Sequence, residues 1–141
     1  MWRVVLDGVT LTSALLNAHG PAARLLDAAL QGRLRLFITL GMLAAQHEAL
    51  RDAALSRRHG LTDHDLSSLM ADIAVLFCLA PDSTQVVSDG RLVSETIACA
   101  MHSRADFLVT SAPLNTEAVE QQGTHVVTAQ QLVELLDRDL Y

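Results

Sequence analysis

A chain of 141 residues with 16 carboxylates against 10 basic side chains, all arginine, carries a formal net charge of −6. Binding of nucleic acid through bulk charge is thereby excluded. Contact with phosphates calls for a local arginine cluster, such as Arg33 with Arg35 or Arg51 with Arg57 and Arg58, or for a bridging divalent cation.

Half of the residues are hydrophobic and only 4% are aromatic, so the core is built from Leu, Val, Ala and Ile, which suits helices packed on a sheet. No apolar run reaches the roughly 18 residues that would span a membrane. The start MWRVVLDGV lacks the basic and long apolar regions of a secretory signal, and Cys78 and Cys99 have no CxxC spacing. Both are expected to be buried free thiols in a reducing cytoplasm.

In chain order, Arg3 to Leu6 reads as a buried strand that ends in Asp7, with a helix starting near Leu11. A helix follows over GPAARLLDAALQG, bounded by Pro21 at an early position and Gly32 just past its end. Residues 34 to 38 form a second strand. Apolar residues at Leu40, Leu43, His47/Leu50 and Ala54 predict one long amphipathic helix from Thr39 to about Arg58, ended by Gly60.

The string TDHD from Thr62 to Asp65 is a capping box opening a helix through Leu66, Leu69, Met70, Ile73, Leu76 and Phe77, which Pro81 and Asp82 break. A short strand near Val86 and Val87, a turn at Asp89-Gly90, a helix over about 93 to 103 and the strand DFLVT come next. After Pro113 a short helix, the strand Thr124 to Thr128 and a closing helix capped by Thr128 complete the chain. Such alternation predicts a three-layer α/β/α fold with a central parallel sheet, as one domain over 1–141.

The chemistry-bearing residues are few. Asp7 stands at the C-terminal end of the first strand, where α/β folds place site groups. It is either the first ligand of a metal site or a helix cap. His59, Asp63, His64 and Asp65 form a dense set of transition-metal donors, which the capping box already accounts for. Glycine-rich phosphate loops and the string G-x-S-x-G are both missing.

The order of elements and several strings resemble the PIN domain, a small α/β nuclease fold that includes VapC-type toxins. Asp7, Leu11, Ser13, Ala14 and Leu15 match D-T-N-x-L-x-S-A-L, and Gly20-Pro21-Ala22 with Leu25-Leu26 match G-P-A-x-x-L-L. Ala105 to Thr110 matches A-D-[YF]-[LI]-V-T, and Val126-Val127-Thr128 with Leu132 matches the closing I-V-T-x-x-x-[FL].

The resemblance implies a carboxylate cluster holding Mg²⁺ or Mn²⁺ and hydrolysing single-stranded RNA. Of its four acids, Asp7 matches the first, while the others fall on Ala45, Ser94 and Ala112. The implied site is therefore Asp7 and Glu95 as metal ligands, with Asp7 and Ser94 as catalytic residues; Glu48, Asp89 or Glu95 is open as a replacement second acid. The expectations are a cytoplasmic homodimer that is either a toxin–antitoxin type endoribonuclease or an inactive binding module paired with an antitoxin-like protein. Asp106 is expected to be structural.

Overall fold

In the computed structural model, residues 1–81, 94–111 and 116–139 are described. Five strands, β1 (Trp2–Leu6), β2 (Leu34–Thr39), β3 (Cys78–Ala80), β4 (Phe107–Val109) and β5 (His125–Val127), form one sheet. All pairings are parallel and the order is β3-β2-β1-β4-β5. Successive connections leave β1 in opposite directions, so the sheet has a topological switch point between β1 and β4, where open α/β sheets form their crevice.

The alternation of side chains along each strand separates two cores. On one face Val4, Leu6, Leu36, Ile38 and Val109 pack with Leu11, Leu25, Met70 and Leu132. Those last four come from α1 (Gly8–Leu16), α2 (Pro21–Leu30), α5 (Asp63–Leu76) and α8 (Ala129–Asp139). On the other face Val5, Phe37 and Leu108 meet Ile97, Cys99 and Val119 from α6 (Glu95–His102) and α7 (Glu117–Gln121). The expected three layers are thus present, each fully buried aliphatic side chain contributing about 1.5–3 kcal/mol.

Local signals act where they were read. Pro21 opens α2, and Gly32 closes it at φ +75°, with Arg33 N–H donating to Ala28 O at 2.9 Å. A side chain is strained in that left-handed conformation. The capping box is formed in both directions between Thr62 and Asp65, and Thr128 Oγ accepts from Gln131 N–H at the start of α8. Asp106 is structural: its carboxylate accepts from Arg3 N–H at 2.8 Å, and its own N–H donates to Arg3 O.

Three expectations are corrected. The first helix starts at Gly8, not near Leu11, because Asp7 caps it directly. The long helix over 39 to 58 is two, α3 (Leu40–Arg51) and α4 (Ala53–His59), divided where Asp52 takes an extended ψ of 138°. Its inward face is also different: Gln46 and Leu50 are buried while Leu40 is 58% exposed. Third, α5 ends at Leu76 and the following Cys78–Ala80 is the edge strand β3, so Pro81 follows a strand instead of breaking a helix. The strand expected near Val86 and Val87 and the turn at Asp89-Gly90 lie outside the described residues.

Candidate functional site at the C-terminal edge of the sheet

The register sets the site. Leu6 is level with Val109, so the next residues, Asp7 and Thr110, emerge side by side at the C-terminal edge. Val5 is level with Phe37, and two residues further on Thr39 ends β2 on the same edge.

Asp7 is 5% exposed and is held on both sides. One carboxylate oxygen accepts from Thr10 N–H at 2.8 Å, the N-cap bond of α1, with Asp7 in the extended conformation that capping requires. The other accepts from the Thr110 hydroxyl. Its backbone N–H donates to Val109 O at 3.1 Å. Both of the readings open at Asp7 place it at this edge, and the geometry makes it a buried cap tied to the neighbouring strand.

The other expected residues lie at helix starts. Ser94 is the N-cap of α6, its hydroxyl accepting from Ile97 N–H at 3.3 Å. Glu95, the first residue of α6, reaches back to β2 and accepts from the Thr39 hydroxyl at 2.8 Å. Thr39 in turn caps α3 through Met42 N–H at 3.0 Å. A Cβ built on Gly41 would lie 2.2 Å from Glu95 Oε1, so the carboxylate rests directly on the first turn of α3, where a negative charge is favoured by the helix dipole. Thr39 and Thr110 were not singled out from sequence. Their signal is positional, each being the residue after a strand's last buried apolar side chain.

Beside these groups opens a groove of about 550 Å³, bordered by Leu6, Leu11, Ile38, Met42, Ala49 and Leu55. Ala45 lines it and is exposed on α3, as is Glu48. Buried Gln46 also lines it, donating through Nε2 to Thr12 Oγ1 at 2.7 Å. Ala112 and Asp89 are outside the described residues.

The PIN domain family model matches residues 3–111. The chain belongs to the PIN domain family. The match runs from β1 to the residue after Thr110 and so contains the switch point with Asp7; β5 and α8 lie beyond it, β5 paired to β4 and α8 packed on α2. No curated protein matches the chain. PIN domains are nuclease-type domains that bind RNA, generally with divalent metal ions.

The donor set of this PIN domain can be tested against such an ion. Among the described residues, no group of three or more His, Cys, Asp or Glu side chains converges to hold a metal. Asp7 accepts one bond at each oxygen, and Glu95 accepts the Thr39 hydroxyl at one of its two. Hard divalent cations take six or more oxygen ligands and draw their affinity from clustered carboxylates. Among the described residues, this edge therefore offers an ion at most the two carboxylates of Asp7 and Glu95, not a cluster.

The second donor set is also accounted for. His59 Nδ1 accepts from Leu61 N–H at 2.9 Å, which makes Nε2 the protonated nitrogen, donating to Leu50 O at 2.7 Å. Asp65 is held below the usual carboxylate range by the Thr62 N–H, then by the Thr62 hydroxyl. Asp63 lies 3.8 Å from Arg51. Cys99 is a buried free thiol and Cys78 a half-buried one. Among the described residues no helix is long and apolar enough to cross a membrane.

Proposed function

We propose that this PIN domain is a binding module, a pseudonuclease of one unit over 1–141, in which the acid at the head of β1 has become a structural cap. The observation that carries this reading is the double engagement of the Asp7 carboxylate, by Thr10 N–H and by the Thr110 hydroxyl, at 5% exposure. A divalent-metal centre draws its affinity from several oxygen ligands, chiefly carboxylates, that converge on one point. Here both oxygens already accept from the fold, no group of three potential ligands converges among the described residues, and the next acidic position is Ala45, beside an apolar groove. In this reading Ser94 caps α6 and Glu95 ties it to the sheet edge through Thr39, and the partner is a protein of antitoxin-like kind in the cytoplasm, bound to the domain as a homodimer.

One observation favours a second reading. Glu95 brings a carboxylate to the edge that carries Asp7, and Mg²⁺ is commonly held by one or two protein carboxylates with substrate phosphates completing its shell. On that reading the domain is a weak Mg²⁺- or Mn²⁺-dependent endoribonuclease of toxin–antitoxin type acting on single-stranded RNA, with Asp7 and Glu95 as ligands and Ser94 beside them.

Thermal unfolding with and without Mn²⁺ separates the two. A ligand that binds only the folded state at about 100 times its Kd stabilises by about 2.7 kcal/mol. The binding-module reading predicts an unchanged Tm in millimolar Mn²⁺ for both wild type and Asp7→Asn. A rise of several degrees in wild type, absent in Asp7→Asn, contradicts it.

A further inference from the structure

We propose that the groove at the C-terminal edge of the sheet binds a small molecule with an apolar body and a protonated amine head; the proposal rests on the reading of the domain as a binding module. Three features of the groove define that ligand. Its volume of about 550 Å³ lies within the roughly 300–1,000 Å³ of small-molecule sites, which are mostly apolar with a few convergent polar groups. Its apolar walls come from the ends of β1 and β2 and from α1, α3 and α4, through Leu6, Ile38, Leu11, Met42 and Leu55.

Beside the hydroxyls of Thr12 and Thr96, two polar groups of its lining are acceptors held in place. Gln46 is 3% exposed, and its amide is locked at one end by the bond from Nε2 to Thr12 Oγ1. Oε1, at the other end, has no hydrogen-bond partner among the described residues. Among those residues, no solvent-inaccessible side-chain nitrogen or oxygen lacks a partner, so Oε1 keeps access to solvent on a residue that lines the groove. A Cβ on Gly8 would lie 3.7 Å from that oxygen, and the glycine leaves it uncovered.

Glu95 is the one charged residue among the groove's described lining. Its carboxylate is positioned by the Thr39 hydroxyl and by the absence of a side chain at Gly41. A fixed carboxylate and a fixed amide oxygen at the rim of an apolar slot, with no cation among the described lining residues, select a donor of positive charge and disfavour phosphates and carboxylates. An ammonium supplies three donors and no acceptor, enough for both acceptors with one donor left for solvent.

The test uses 2-phenylethylamine, with 2-phenylethanol and 3-phenylpropionate as its neutral and anionic counterparts. Each is titrated into the full chain while the backbone amides of Gly8, Met42 and Ala45 are followed by NMR. For a ligand of about nine heavy atoms the ligand-efficiency range gives a Kd on the order of millimolar. The amine is expected to saturate those three amides, the alcohol to bind about tenfold more weakly, and the propionate not at all.

Glu95→Gln, which keeps an acceptor for Thr39, is expected to bring the amine down to the level of the alcohol. Ala45→Trp fills the slot and is expected to abolish binding of both with Tm retained. Equal shifts from amine and propionate, an unchanged amine affinity in Glu95→Gln, or shifts confined to residues outside the groove overturn the proposal. A Mn²⁺-induced rise in Tm that depends on Asp7 instead overturns the binding-module reading, and the groove proposal with it, so the two failures are read from different titrations.

Discussion

Replacing Asp7 by alanine removes the N-cap of α1 and the acceptor of the Thr110 hydroxyl in one step. Loss of an N-cap acceptor costs about 1 kcal/mol, and a hydrogen bond to a charged group contributes about 1.5–3 kcal/mol, for a total of about 2.5–4 kcal/mol. Unfolding entropy near ~2.1 cal/mol/K per residue over 141 residues makes each kcal/mol worth roughly 3 °C. Asp7→Ala is therefore expected to lower Tm by about 8–14 °C.

Asp7→Asn keeps an oxygen for Thr10 N–H and can donate its amide to the Thr110 hydroxyl, so it is expected to cost less than about 1 kcal/mol. The assay is thermal unfolding followed by circular dichroism in EDTA, which removes any bound cation. An acid held in a cluster of like charges repels its neighbours when no metal is present. Its removal would then leave Tm unchanged or raise it. An Asp7→Ala protein as stable as wild type in EDTA refutes the structural role assigned to this carboxylate.

The contact of Glu95 with Gly41 predicts a coupling between two positions 54 residues apart in the sequence. In a Glu95→Ala background, Gly41→Ala is expected to stabilise by about 1 kcal/mol through helix propensity. In wild type the new Cβ displaces the carboxylate and most of that gain disappears, which a double-mutant cycle in urea reads as about 1 kcal/mol of interaction. Leu108→Ala, at a fully buried position of β4, which lies between β1 and β5, is expected to cost about 2–5 kcal/mol in the same assay. For Asp65, whose folded pKa lies below the ordinary 3.8, the stabilising contribution is present above pH 3.8 and is lost as pH falls through the lower folded value. Urea unfolding of wild type and Asp65→Asn is expected to show a stability difference at pH 6 that shrinks below pH 3.8.

The sequence made the strand–helix alternation and most caps legible because those signals are local. Thr62 to Asp65, Pro21, Gly32 and Thr128 each act within one turn of their own position. The run Val75 to Ala80 predicts helix up to Pro81, because unbroken apolar residues fit a buried helix end and a short strand equally well. Only pairing with β2 makes Cys78–Ala80 a strand. The division of α3 from α4 at Asp52 left no signal in the apolar spacing, which placed Leu40 inward where Gln46 is buried instead.

At the site, Asp7 stands out as a polar residue between a strand and a helix, and Ser94 follows from the family resemblance. Their tertiary partners carry no such signal. The bond from Thr110 to Asp7 depends on the register of β4 against β1, and the approach of Glu95 to Gly41 depends on how α6 crosses the sheet. A buried glutamine was likewise invisible to a reading that assigns amides to the surface by default.

The central claim, that the acid at the head of β1 caps a helix and does not serve hydrolysis, is tested most directly on RNA. A labelled single-stranded RNA is incubated with the full chain and Mn²⁺, with Asp7→Asn and with EDTA as controls. No cleavage by wild type above the Asp7→Asn background is expected. Mn²⁺-dependent cleavage that is lost both in Asp7→Asn and in EDTA contradicts it, and makes Asp7 a metal ligand of a working nuclease.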